Sequence, residues 1–166
     1  MQIQQKIVPC LWFDDQAEEA ASFYTATFPN SRITQVIRYG EAGFEFHGKA
    51  SGTAMTVVFE LDGQTFTALN GGPVFRFNEA VSLQVMCASQ AEVDHYWARL
   101  GEGGEPQAQQ CGWLKDRYGL SWQVVPEVLL EMLQAENVAA AQRVTEAMLR
   151  MKKLDIVTLL QAFEGE

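Results

Sequence analysis

Apolar and polar residues alternate in the first half of the chain in a pattern typical of a strand, a helix and three more strands. Apolar stretches of strand length are separated by turn residues, and the helical stretch carries one apolar stripe at a spacing of three and four residues. Asp14 or Asp15 is the expected N-cap of that helix, and Asp62-Gly63 predicts a tight hairpin. The predicted elements are a strand at residues 7–13, a helix reaching residue 28, strands at 32–39, 53–61 and 64–70, and a glycine-rich connection at 40–52.

The second half repeats this order. Ser89 is the expected N-cap of its helix, and Gln90-Ala91-Glu92 before Tyr96-Trp97 echoes Gln16-Ala17-Glu18 before Phe23-Tyr24. The predicted elements are a strand at residues 80–87, a helix at 89–100, a weak strand at 105–110 and a hairpin of residues 111–115 and 120–125. The pattern therefore predicts a duplicated unit of one strand, one helix and three strands.

After residue 126 the pattern becomes helical. Residues 127–135, roughly 137–151 and 155–163 each carry an apolar face, and Asp155 is the expected cap of the last helix. These helices are expected to pack on the sheet or on a partner subunit. A cluster of Arg143, Arg150, Lys152 and Lys153 is more typical of a solvated face than of a binding site for an acidic partner.

Composition and charge argue against several classes of protein. The 166 residues carry 12 Lys and Arg against 21 Asp and Glu, a formal charge of −9 that argues against broad nucleic-acid binding. No apolar stretch is long enough for a transmembrane helix, and the polar start at Met1-Gln2-Ile3-Gln4-Gln5-Lys6 is unlike a secretory signal. Cys10, Cys87 and Cys111 have neither zinc-knuckle nor disulfide-framework spacing. We expect a cytoplasmic protein with free thiols and no membrane contact.

Several motifs within this frame resemble one superfamily. They are Leu11-Trp12-Phe13-Asp14, Phe28-Pro29-Asn30-Ser31, Ala68-Leu69-Asn70-Gly71-Gly72-Pro73, Cys111-Gly112-Trp113-Leu114-Lys115-Asp116 and Trp122-Gln123-Val124-Val125-Pro126. Together they resemble the vicinal oxygen chelate superfamily, which includes glyoxalase I, bleomycin-resistance proteins and extradiol dioxygenases. They are most similar to its PhnB-like branch, which often carries the label 3-demethylubiquinone-9 3-methyltransferase.

The resemblance implies an α+β fold in which two βαβββ modules, at about 7–73 and 80–126, form a curved mixed sheet. It divides the chain into a paired domain at 1–126 and a C-terminal helical extension at 127–166. Relatives are usually homodimers, and the apolar C-terminal helices offer material for such an interface. We therefore expect a homodimer.

The resemblance also implies where a metal would be held in the superfamily's enzymes, on the first and last strands of each module. These positions fall near Pro9, at Thr67 or Ala68, at Ser82 or Gln84, and at Gln123, which are poor ligands for a divalent ion. We expect no metal and no other cofactor. A differently built site would have to use Glu45, His47 or Glu60.

The expected function is therefore binding of a small molecule in a metal-free cup. Period-two alternation places Asn70, Gln84 and Gln123 on its face, where their amides would hydrogen-bond a ligand. Trp113 and Trp122 flank the Asp116–Gly119 turn and, in a regular hairpin, would be cross-strand partners that form an aromatic wall. The predicted ligand-binding residues are Asn70, Gln84, Trp113, Trp122 and Gln123.

Three alternatives stay open. The first is a metal-dependent lyase or dioxygenase with non-standard ligands. The second is a methyltransferase, which is disfavoured because Gly101-Glu102-Gly103-Gly104 follows a helix rather than the strand that a nucleotide-binding turn requires. The third is a structural or regulatory protein that acts through its C-terminal helices.

Overall fold

The computed structural model describes residues 5–166 and groups the chain into two compact units, one up to Arg76 and one from Phe77. Each unit has its own sheet. The prediction against a secretory signal depends on residues 1–6, of which residues 1–4 lie outside the described residues. Within the described part of the chain, no helix combines the length and apolar character needed to cross a membrane.

The first unit has the predicted order of one strand, one helix and three strands. Its sheet has the strand order β1-β4-β3-β2, in which β1 runs parallel to β4 and the other neighbours are antiparallel. A short extra helix lies within the predicted connection at 40–52. The elements are β1 (Cys10–Phe13), α1 (Ala17–Thr27), β2 (Arg32–Arg38), α2 (Phe44–His47), β3 (Ala54–Leu61) and β4 (Gln64–Asn70).

The predicted hairpin at Asp62-Gly63 joins β3 to β4. Both residues have positive φ, +44° for Asp62 and +82° for Gly63. A two-residue turn of this kind suits the right-handed twist of the flanking strands, and glycine adopts it without steric cost. The tight hairpin predicted at Asp62-Gly63 is therefore confirmed.

The predicted N-cap of α1 is wrong. The cap position is Gln16, whose side chain makes no capping bond. Instead, Ala17 N donates to Asn70 Oδ1 at 2.8 Å, and Asn70 Nδ2 donates to Ala54 O at 2.9 Å. A buried helix start needs acceptors for its free N–H groups, and here β4 supplies one from a residue 53 positions away.

The second unit contains three strands and four α-helices. Its sheet has the order β5-β7-β6, with β5 parallel and β6 antiparallel to β7. Ser89 is the N-cap of the first helix, as predicted, and its Oγ accepts from Glu92 N. The elements are β5 (Ser82–Cys87), α3 (Gln90–Gly101), β6 (Trp113–Lys115), β7 (Ser121–Pro126), α4 (Glu127–Leu133), α5 (Val138–Leu149) and α6 (Ile156–Glu164).

The weak strand predicted at residues 105–110 does not form. A 3-10 helix at Pro106–Ala108 takes its place, and only an isolated bridge joins Gln110 to Trp113. Proline has no N–H to donate to a sheet and its φ suits the start of a helical turn. The α+β class and the helical C-terminal region are confirmed, with one strand fewer in the second module.

The β6–β7 hairpin has a different register from the one predicted. Trp113 pairs with Gln123, and Leu114 pairs with Trp122. The loop closes through Asp116 N, which donates to Leu120 O at 3.0 Å. This register differs by one residue from a pairing of the two tryptophans, and a shift of one residue moves a side chain to the other face of the sheet.

The C-terminal helices pack into the second unit. Cys111 N donates to Met151 O at 2.9 Å and Gly112 N to Lys152 O at 2.7 Å, which fixes the α5–α6 connection to the edge of the sheet. Gln90 Oε1 accepts from Ile156 N at 2.8 Å, which fixes the start of α6 to α3. One buried apolar cluster holds these helices to β7: Val125, Leu129, Met132, Val144, Leu154 and Leu159.

Gly104 packs against the backbone of β6 and provides a test of this unit's packing. A Cβ at Gly104 would lie 2.0 Å from Lys115 O, whereas one at Gly101 would lie 3.6 Å from its nearest neighbour, the Gln109 side chain. Gly104→Ala is expected to lower the free energy of unfolding by about 2–3 kcal/mol, because the backbone must shift. Gly101→Ala, at the end of α3, is the control and should change it by less than about 1 kcal/mol. Equal urea midpoints for the two variants would contradict this packing.

Candidate functional site

A cavity of about 590 Å³ lies in the second unit, between the sheet and the C-terminal helices. We call it the second-unit cavity. Its floor is one face of the sheet, formed by Gln84 of β5, Trp113 of β6, and Gln123 and Val125 of β7. Its volume is in the range of small-molecule pockets.

Strand register explains why these residues share a face. Gln84 lies directly opposite Gln123 in the parallel β5–β7 pair, and Trp113 lies opposite Gln123 in the antiparallel β6–β7 pair. Paired residues point to the same side of a sheet, and alternate residues along β7 do the same. Three of the five predicted ligand-binding residues are therefore brought together here.

The opposite wall of the cavity is apolar and comes from the C-terminal helices. Leu129, Leu130 and Leu133 of α4 line it together with Met148 and Leu149 of α5. Leu130 and Leu149 are 43% and 55% exposed, so this wall is partly open to solvent. An apolar wall facing a few polar groups is the usual composition of a ligand pocket.

The floor carries a short chain of hydrogen bonds between side chains. Gln84 Nε2 donates to Gln123 Oε1 at 3.3 Å, and Gln123 Nε2 donates to Ser82 Oγ at 2.8 Å. A primary amide has two N–H donors and an oxygen with two lone pairs. The two glutamines therefore keep hydrogen-bonding capacity beyond the bonds that hold them in place.

Trp122 lies outside the second-unit cavity. It is only 2% exposed, on the face of the sheet opposite Gln123, and its Nε1 donates to Asp116 Oδ2 at 2.8 Å. Asp116 Oδ1 also accepts from Tyr118 N at 2.8 Å and Leu120 N at 3.0 Å. Trp122 thus stabilises the hairpin turn. Because β6 and β7 pair one residue away from the predicted register, Trp122 lies on the opposite face of the sheet from Trp113.

Asn70 also lies away from this cavity, in the first unit. It is 1% exposed, and both atoms of its amide group are bonded to the backbone of α1 and β3. Period-two alternation along β4 puts it with the buried Phe66 and Ala68, on the face that carries α1. The amide of Asn70 is therefore committed to the interior of the first unit.

Sequence reasoning missed most of the cavity wall. The amphipathic patterns at 127–135 and 137–151 predict buried helix faces, but periodicity does not say which surface they cover. Cys111 is half-buried and also lines the cavity. Gln110 holds this edge to α5, because its Nε2 donates to Leu149 O at 2.8 Å.

One charged side chain lines the second-unit cavity among the residues that the structure describes, that of Glu79. Its carboxylate forms an ion pair with the Lys115 ammonium. The hydrogen bond from Lys115 lowers the pKa of the Glu79 carboxyl below its ordinary value. Glu79 is therefore ionised at neutral pH and forms with Lys115 a pair that carries no net charge.

The metal-ligand positions that the superfamily resemblance implies do not suit a divalent ion. Gln84 and Gln123 bond to each other, and their amides are weak ligands. The alternative ligand His47 is used within its own segment, where Nε2 lies 3.2 Å from Ala42 O and Nδ1 accepts from Lys49 N. Over residues 5–166, no three His, Cys, Asp or Glu side chains cluster in a way that could hold a metal ion.

Comparisons with solved structures agree with this architecture. The PhnB protein from Bacillus cereus is 36% identical, with a TM-score of 0.63 over 74% of this chain and 99% of that chain. Protein PA1353 from Pseudomonas aeruginosa is 22% identical, with a TM-score of 0.59 over 75% and 98%. The fosfomycin resistance protein FosX from Listeria monocytogenes is 17% identical, with a TM-score of 0.50 over 81% and 100%, which is a likeness of fold alone.

The family comparison covers most of the chain but stops before α4. No protein of curated function matches the chain. The model of the family described as 3-demethylubiquinone-9 3-methyltransferase matches residues 5–125, which leaves the helices that wall the second-unit cavity outside the matched region. The chain therefore belongs to the 3-demethylubiquinone-9 3-methyltransferase family, the PhnB-like branch of the vicinal oxygen chelate superfamily.

Proposed function

We propose that this protein binds a small molecule in the second-unit cavity, and that the cavity recognises it without a metal ion. The observation that carries the proposal is the cavity itself, in which a glutamine pair faces an apolar helical wall. Apolar surface supplies most of the binding free energy in such pockets, and a few fixed polar groups orient the ligand. Gln84, Trp113 and Gln123 are the ligand-contacting residues of the sheet.

The position of the C-terminal helices supports a role in ligand binding. The buried faces of α4, α5 and α6 are used in packing against β7, and α4 and α5 then supply the apolar wall. We therefore assign them to the binding site rather than to a separate regulatory arm.

The glycine-rich segment 101–104 does not support binding of a methyl-donor nucleotide. It begins at the last residue of α3 rather than after a strand, and Gly104 packs so closely on Lys115 O that the position has no room for a ligand group. Phosphate-binding turns of dinucleotide folds open from a strand onto a helix N-terminus. The methyltransferase activity in the family description is therefore not part of the proposal.

A matched pair of arginine substitutions tests the binding site. Leu130 lines the cavity and is 43% exposed, whereas Leu160 of α6 is 39% exposed and does not line it. Leu130→Arg should fill the cavity and lower the affinity of bound fragments at least about tenfold, because the ligand must displace a charged side chain. Leu160→Arg should leave the affinity within about twofold.

The measurement is a ligand-observed NMR screen of uncharged aromatic fragments, followed by titration calorimetry of the hits on all three proteins. Circular dichroism of each variant checks that it is folded. The proposal is wrong if no fragment binds the unsubstituted protein, or if both arginine variants bind the hits as it does.

A further inference from the structure

The hydrogen-bonding capacity of the cavity floor identifies the class of ligand, given the proposed binding site. One N–H of Gln84 is used by Gln123 Oε1, and one N–H of Gln123 is used by Ser82 Oγ. Gln84 Oε1 accepts no hydrogen bond from any residue in the described range 5–166. The floor therefore presents a carbonyl acceptor with unused N–H donors beside it.

A ligand group that carries a donor next to an acceptor would satisfy both sides of this pair. Carboxamides, lactams and ureas have that arrangement, since their N–H and C=O lie on adjacent atoms. An ether or a hydrocarbon would leave Gln84 Oε1 without a partner once the ligand excludes water. An unpaired buried polar group costs free energy, so such ligands should bind more weakly.

The cavity offers no unpaired charge to a charged head group. Glu79 is the one charged side chain that lines it among the described residues, and its carboxylate is paired with the Lys115 ammonium. A carboxylate or phosphate placed there would lose its hydration without gaining an unpaired cation among these lining residues as a partner. An ammonium group would likewise find the Glu79 carboxylate already paired.

The other residues that line the cavity are mainly apolar and favour an apolar body for the ligand. Leu129, Leu133 and Leu149 face the glutamine pair across the cavity, and Trp113 adds an aromatic ring at the floor. We infer that the second-unit cavity takes a neutral molecule with a carboxamide-like head, bound by Gln84 and Gln123, and an apolar body of about one or two rings held by α4 and α5.

Three probes of the same shape test the head group: 4-butylbenzamide, 4-butylbenzoate and 4-butylanisole. Titration calorimetry at pH 7.5 should give an affinity for the benzamide about tenfold higher than for either of the others, the effect of one to two net hydrogen bonds. Gln84→Met should lower benzamide affinity about tenfold and leave anisole affinity within twofold. Gln35→Met, an exposed glutamine on β2 of the first unit, is the control and should change neither.

The outcomes separate this inference from the proposed function. If 4-butylbenzoate or 4-butylanisole binds as tightly as the benzamide, or if Gln84→Met leaves benzamide affinity unchanged, the inference is overturned while the cavity stands as a binding site. If none of the three probes binds the unsubstituted protein although other fragments of the screen do, the inference alone is overturned. If no fragment binds at all, the proposed function is overturned with it.

Discussion

Deletion of residues 127–166 is expected to abolish cooperative unfolding of the second unit and ligand binding with it. The deletion removes five of the six residues in the apolar cluster on β7 and exposes the sixth, Val125. Each buried side chain of this kind contributes about 2 kcal/mol, so the loss is on the order of 10 kcal/mol, comparable with the whole stability of a domain. Urea unfolding followed by circular dichroism and by amide NMR spectra measures the effect.

A matched pair of single substitutions on α6 refines this test. Leu159 is 0% exposed within the cluster, whereas Val157 on the same helix is 61% exposed. Leu159→Ala should lower the free energy of unfolding by about 3 kcal/mol, because it leaves a cavity in a packed core. Val157→Ala should lower it by less than about 1 kcal/mol. A deletion variant that unfolds with the same midpoint and slope as the intact chain would contradict the packing described here.

The second large effect is expected at Asp116. Its carboxylate is 2% exposed and accepts hydrogen bonds from Tyr118 N, Leu120 N and Trp122 Nε1. Asp116→Ala leaves these buried donors without their acceptor, and the expected loss is about 3–5 kcal/mol in the free energy of unfolding. The same carboxylate closes the β6–β7 hairpin, so the variant should also lose the pairing of Trp113 with Gln123 and, with it, binding at the cavity.

Asp15→Ala is the control for this substitution. Asp15 is exposed and lies just before α1, so its replacement should change stability by less than about 0.5 kcal/mol. Trp122→Phe removes one of the three donors, and combining it with Asp116→Asn should cost less than the sum of the separate changes because the two residues share one bond. Equal urea midpoints for Asp116→Ala and Asp15→Ala would show that the carboxylate does not hold the turn.

The features that depend on neighbouring residues could be predicted from the sequence. The Asp62-Gly63 turn, the Ser89 cap and the helices after residue 126 all form close to where the pattern predicts them. These signals act over a few residues, since a turn, a cap or an amphipathic stripe needs only local backbone geometry. The family resemblance adds the α+β fold class for the two modules at about 7–73 and 80–126.

Which side chains come into contact could not be predicted from the sequence, because tertiary packing sets those contacts. The cap of α1 comes from Asn70, far along the chain, and the register of the β6–β7 hairpin separates Trp122 from Trp113 by one residue. The wall formed by α4 and α5 depends on which sheet face the helices cover. Local periodicity predicts neither the exact register of a hairpin nor a contact between residues about 50 positions apart. Both depend on packing and on the hydrogen bonds that buried polar groups require.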